Sequence, residues 1–269
     1  SSHLDKLHFV IGHGILREEL RDEIYCQICK QLSNNPNSIS FKKGWILLSL
    51  CIGCFPPSEN FELYLRQFIR CGPELYAPFC EGKLNRTMQN GCRRQPPSWH
   101  ELNASKTKEP LIVSINLMNE KSVEMEIDSA STSEEVCLAI AKQIALRDLL
   151  GFSLFITIAN KVMTLGCEHQ FVFDAISRCE QFAKEQGIAE KKVQWQLFIQ
   201  KEMFTPWYNP SDDSIATNLI YQQIVKGIHL GDYVCTSEKD ISMIAALRYY
   251  VDYGMKYEKD NLMNKLAEY

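Results

Sequence analysis

The sequence predicts a multidomain α+β chain: an α-helical bundle, a ubiquitin-like β-grasp lobe, and the start of a second, helical lobe. Three observations predict it. Apolar residues recur at helical spacing through the first hundred residues, alternate with a period of two after Pro110, and return to helical spacing after Pro206. The corresponding boundaries are 1–103 for the bundle, 104–109 for a linker, 110–205 for the β-grasp lobe and 206–269 for the last helical part.

Each element has its own local signal. Leu16, Leu20, Ile24, Ile28 and Leu32 stand four apart among charged residues, which predicts an amphipathic helix over 15–32, broken by Asn34, Asn35, Pro36 and Asn37. A second helix over 42–54 stops at Pro56 and Pro57, and a third, from Phe61, buries Leu65, Phe68 and Ile69 and ends near Gly72 and Pro73. A fourth covers 74–88, and the stretch 94–99 (RQPPSW) closes the bundle.

After Pro110, Leu111, Val113, Ile115 and Leu117 form one face of a strand that turns at 118–121 into Val123, Met125 and Ile127, a hairpin. Ser131 or Thr132, with Glu134 or Glu135 three residues on, is a capping box opening a helix with Val136, Ile140 and Ile144 on its core side. A strand over 151–159, a helix over 171–186 and a strand over 193–204 complete the β-grasp order. Asp212 or Asp213 then caps a helix that stops at Gly227 and Gly231, and Ser237 or Glu238 opens another that runs to Tyr250. The chain reaches Tyr269 without a third convincing core, so it reads as a fragment.

Composition excludes several functions. The chain has 269 residues and a net charge of −4, which rules out binding nucleic acid by bulk attraction to phosphate. That charge is divided: residues 1–109 hold 14 Lys/Arg against 11 Asp/Glu, whereas residues 110–269 hold 15 against 22. The longest apolar run, 45–55 (WILLSLCIGCF), is about half the ~20 residues a membrane span requires, so no transmembrane segment is expected. No secretory signal precedes it, and eleven cysteines, an odd number at modest density, fit a reduced, cytoplasmic setting.

Cys26, Cys29, Cys51 and Cys54 form two CxxC pairs near zinc-ribbon spacing. Both pairs sit within helical periodicity rather than on the tight turns that present zinc thiolates, which favours small buried hydrophobes over a metal site. The six histidines are scattered, and neither a hydrolase triad nor a phosphate-cradling glycine loop is present. No catalytic residue, metal or cofactor is expected, and the chain is not read as an enzyme. The basic residues Lys42, Lys43, Arg66, Arg70, Lys83, Arg86, Arg93 and Arg94 fit two readings: a solvated surface, or a docking face for an acidic partner.

Longer stretches carry a family resemblance. Residues 4–32 (LDKLHFVIGHGILREELRDEIYCQICKQL), 44–69 (GWILLSLCIGCFPPSENFELYLRQFI) and 95–102 (QPPSWHEL) resemble the later part of a myosin tail homology four domain. The segments GFSLFITIANKV, FDAISRCEQFAKEQG, KEMFTPW and ATNLIYQQIVKG resemble the first two lobes of a FERM domain. Together they are most similar to the tail of class VII unconventional myosins. The resemblance implies a single supramodule that binds adaptor or scaffold proteins and links an actin-based motor to actin-rich protrusions such as microvilli and stereocilia, with the cytoskeleton as its location. Actin itself would be contacted only through the motor, which this sequence lacks together with the rest of the FERM domain. The expected binding face comprises the eight basic residues with Lys106 and Lys108 of the linker, taking an acidic or amphipathic segment of a scaffold protein; the alternative is microtubule binding through the same face.

Overall fold

The computed structural model describes residues 3–159, 161–234 and 236–266. The helical domain comprises α1 (His3–Leu16), α2 (Arg21–Leu32), α3 (Ser38–Ile52), α4 (Glu59–Arg70), α5 (Ala77–Asn90) and α6 (Trp99–Thr107). The helix predicted over 15–32 is two. Arg17 adopts an extended conformation and a short 3-10 turn follows, so the chain changes direction before Arg21 restarts the helix. Asn37 and Ser58 cap α3 and α4 by accepting first-turn N–H groups, satisfying donors that helix starts leave open.

Trp45 is the centre of the helical core, its indole stacked on Phe68 and Tyr76 at centroid distances of 5.8 and 5.5 Å. Tyr25 is also enclosed there; its hydroxyl donates to Phe55 O at 2.6 Å, giving the buried phenol a partner. Helix α6 occupies residues where the sequence suggested the beginning of a linker. A complete capping box between Ser98 and Glu101 starts it, and Lys108 ends it in a left-handed conformation.

The second domain is a five-stranded sheet in the order β2-β1-β5-β3-β4, from β1 (Leu111–Asn116), β2 (Ser122–Ile127), β3 (Phe152–Ile158), β4 (Lys161–Gly166) and β5 (Trp195–Lys201). The central β1 and β5 run parallel and the other pairs antiparallel, which is the β-grasp arrangement. Helices α7 (Ser133–Ile144) and α8 (Val172–Glu185) supply Val136, Ile140, Phe173 and Ile176 to its core. Strand β4, not foreseen from the sequence, is a half-exposed edge whose polar and apolar residues give a weak alternation signal.

Helices α9 (Ser214–His229), α10 (Glu238–Tyr253) and α11 (Lys259–Leu266) follow. The first of these is fastened to the β-grasp lobe. Ala216, Leu219 and Ile220 join its core, and Gln223 pairs with both the N–H and the C=O of Lys201 at 2.8 Å. Asp213 caps α9 while accepting from Arg147 N at 2.6 Å, so one carboxylate joins the two segments.

Candidate partner-binding surface

The segment between α5 and α6 crosses the first helix turns of α8, and a buried ionic cluster forms there. Arg93 has no exposed side-chain surface; its Nε donates to Asp174 Oδ1 at 2.9 Å, and its Nη1 donates to Glu101. Asp174 also accepts the backbone N–H groups of Arg94 and Gln95 at 2.9 and 3.1 Å. Three donors thus converge on one carboxylate from the other domain, which compensates its removal from water.

A second junction lies beside it. Arg86 on α5 binds Glu135 on α7 with two parallel bonds of 2.9 and 2.6 Å, and its Nε reaches Asp128 at 2.7 Å. Asn90 Nδ2 donates to Ala130 O and to Glu135. Glu135 is also the reciprocal member of the Thr132 capping box, so the same carboxylate starts α7 and holds the helical domain. Burial alone would raise its pKa, but the bonds from Arg86, Asn90 and the Thr132 N–H hold it near 2. Further contacts extend the seam: Ser177 Oγ donates to Pro96 O at 2.8 Å, Trp99 N to Glu180 at 2.7 Å, and Lys184 on α8 forms an ion pair with Asp5 on α1.

This geometry corrects the expected basic face. Arg93 is enclosed and Arg86 is held across the domain seam, so both are structural residues. Arg66 is engaged with Glu62 and Asn85, and Arg70 with Glu81. Lys83 bonds Ser105 Oγ at 3.3 Å with its pKa lowered by burial, and the Lys108 ammonium lies 4.1 Å from the Tyr76 ring centroid. Lys42, Lys43, Arg94 and Lys106 remain exposed. The ten residues therefore do not act as one patch: Arg93 and Arg86 are taken up by the domain seam, and Arg66 and Arg70 are paired within the helical domain.

Lys43 and Lys106 rim an apolar groove of about 380 Å³ with Lys6; its floor is Leu7, Val10, Ile46, Leu47 and Leu102. An adjoining recess shares Val10 and Leu47 and continues between α2 and α3 to Ile24 and Ile28. Lys6 was missed in the sequence because it precedes the periodic segment recognised as helix. The acidic partners of the seam, Glu101, Asp128, Asp174 and Glu180, were also missed. Glu101 had a local signal, three residues after Ser98, but nothing local announces its contact with Arg93.

Three of the four CxxC cysteines lie within helices, Cys54 falls in the turn after α3, and the expected burial holds for the second pair but not for Cys26. Cys51 and Cys54 are buried at the end of α3, Cys29 is half-buried on α2 and Cys26 is exposed. Burial raises Cys29 and Cys54 to about 12, keeping both as thiols near neutrality. Among the described residues, no group of three or more His, Cys, Asp or Glu side chains is placed to hold a metal; Cys235 lies outside them. No helix among them is long and apolar enough to cross a membrane.

Residues 7–104 match the MyTH4 domain and residues 109–203 match the RA like domain. All of the chain aligns with Myosin-VIIa of Drosophila melanogaster at 53% identity, covering 12% of that protein. Likewise 99% of it aligns with unconventional myosin heavy chain 6 of Caenorhabditis elegans at 49% identity, covering 13% of that relative. The chain thus spans about an eighth of these relatives' length. The C-terminal MyTH4-FERM domain of human myosin 7b, solved in complex with the harmonin-a PDZ3 domain, superposes with a TM-score of 0.76 over 94% of this chain and 53% of that one, at 29% identity. These matches are to non-catalytic tail modules and not to a motor domain. With the helical domain joined to a β-grasp lobe through the Arg93 and Arg86 junctions, the chain belongs to the MyTH4-FERM tail regions of class VII myosins.

Proposed function

We propose that this chain is a cargo-binding tail module that attaches a class VII myosin to a scaffold protein within actin-rich protrusions. The carrying observation is the complex formed by the human myosin 7b relative with a PDZ domain of harmonin. The groove bounded by Lys6, Lys43 and Lys106 supplies a fitting surface here: an amphipathic partner segment would bury its apolar side on Leu7, Ile46 and Leu102 and place acidic residues at the lysine rim. Apolar burial would supply affinity, and the lysines would orient the segment and raise its association rate.

The test is binding of the full chain to a purified harmonin-type PDZ scaffold fragment, measured by calorimetry over a salt series. Binding in the micromolar range or tighter, weakened at least fivefold and made less salt-dependent by Lys43→Glu with Lys106→Glu, is the expected result. No binding by the folded wild-type chain would overturn the cargo reading, and binding unaffected by the double substitution would overturn the groove. Microtubule binding through the basic face has weaker support, since Arg66, Arg70, Arg86 and Arg93 are already engaged inside the molecule.

A further inference from the structure

We infer that the notch where the segment after α5 crosses α8 is a receptor for an acidic side chain of a protein partner, with Arg94 and Arg178 as the two cations that hold its carboxylate. The inference rests on the protein-binding reading above and places a specific contact at a site separate from the lysine-rimmed groove.

The notch has a volume of about 230 Å³ and is lined by residues of both domains, among them Asn90, Cys92 and Arg94 from one and His169, Phe171 and Arg178 from the other. That space suits one carboxylate side chain with part of its backbone. Arg94 and Arg178 are exposed, and among the described residues neither guanidinium group forms an ion pair with a carboxylate. They differ in this from Arg66, Arg70, Arg86 and Arg93, each of which is matched to an acidic partner. The acidic group in the wall, Asp174, is engaged by Arg93 Nε and the N–H groups of Arg94 and Gln95. It anchors the backbone of Arg94 rather than occupying its guanidinium.

The backbone of Arg94 is therefore held in place before a ligand arrives, which removes part of the ordering cost of binding. Guanidinium groups match a carboxylate in planar, bidentate geometry. His169 Nε2 bonds Asn90 O at 2.8 Å, which ties this part of the wall to α5. Phe171 and Cys92 give part of the wall an apolar character. The surrounding charge, with 22 Asp/Glu against 15 Lys/Arg in residues 110–269, repels an extended polyanion while leaving a short-range attraction for one acidic side chain. Because each domain contributes one arginine, occupancy would depend on the domains remaining paired at the seam.

The test uses the full chain and a fluorescein-labelled octapeptide carrying two adjacent glutamates between apolar residues, with a glutamine version as control, followed by fluorescence anisotropy. Binding of the glutamate peptide should exceed that of the glutamine peptide at least tenfold and should fall by a similar factor in Arg94→Gln and in Arg178→Gln, while Arg70→Gln leaves it unchanged. Equal binding of the two peptides, or unchanged binding in both arginine variants, would overturn the inference. Inorganic phosphate competing at a lower concentration than acetate would also overturn it, by assigning the notch to phosphate. If scaffold binding at the lysine-rimmed groove persists while the peptide fails, this inference alone falls.

Discussion

Arg93 and Asp174, 81 residues apart, meet at 2.9 Å where the helical domain joins the β-grasp lobe, and Glu101 takes a second guanidinium nitrogen of the same arginine. The arrangement makes the two domains interdependent: Arg93 bridges one carboxylate of its own domain and one of the other, and none of the three side chains can face water without separating from the rest.

Substituting Arg93 with Ala or Met should destabilise the chain by about 3–5 kcal/mol, since it leaves Glu101 and Asp174 buried without their cation. Urea unfolding followed by tryptophan fluorescence checks the magnitude. Replacing Arg93, Glu101 and Asp174 together with apolar residues should recover only part of the loss, because it removes the uncompensated charges but leaves the N–H groups of Arg94, Gln95 and Ser98 without their acceptors.

Glu180 gives a pH signature. Burial, assisted by the charge of Glu101 and opposed by the Trp99 N–H, raises its carboxyl to about 8. Between the ordinary carboxylate range near 4.5 and that value, the folded chain holds a proton that the unfolded chain has released, so this group makes stability fall as pH rises through the window. Glu180→Gln should flatten that slope and leave the variant about 1 kcal/mol more stable than wild type at pH 8. Denaturation at pH 5, 6.5 and 8 measures it; a slope equal to wild type would contradict the assignment.

Glu135 acts in the opposite direction. Its pKa, held near 2, lies below the unfolded value, so its contribution is present above about pH 4.5 and is lost as pH falls towards 2. Glu135→Gln should remove that part of the acid transition and cost about 1 kcal/mol at pH 7, a modest figure because solvent screens this partly exposed pair. Acid unfolding monitored by circular dichroism distinguishes the variant from wild type.

Two glycines of the helical domain should respond with opposite signs. A Cβ on Gly72 would lie 2.3 Å from the Trp45 ring, which Phe68 and Tyr76 hold in place, so Gly72→Ala should destabilise by about 2 kcal/mol. Gly82 lies inside α5 with open space around its Cα, and Gly82→Ala should stabilise by about 1 kcal/mol through helix propensity. Thermal unfolding of both variants tests the pair.

The sequence by itself determined the succession of helical, β-grasp and helical parts, because periods of 3.6 and two and the caps at Thr132, Asp213 and Ser237 are local signals written within a few residues. It also carried the helical placement of Cys26, Cys29 and Cys51 and the stretches that resemble class VII myosin tails. Edge strand β4 and helix α6 were hard to read because the first has little alternation and the second is short and begins after two prolines. The candidate site was the least legible part: a run of basic residues from 83 to 94 looks uniform in one dimension, yet Arg86 and Arg93 turn into the seam while Arg94 turns out. Only the tertiary structure decided this, since whether a charge is free or neutralised depends on carboxylates brought from 42 to 81 residues away, and Coulomb attraction acts through distance in space rather than separation along the chain.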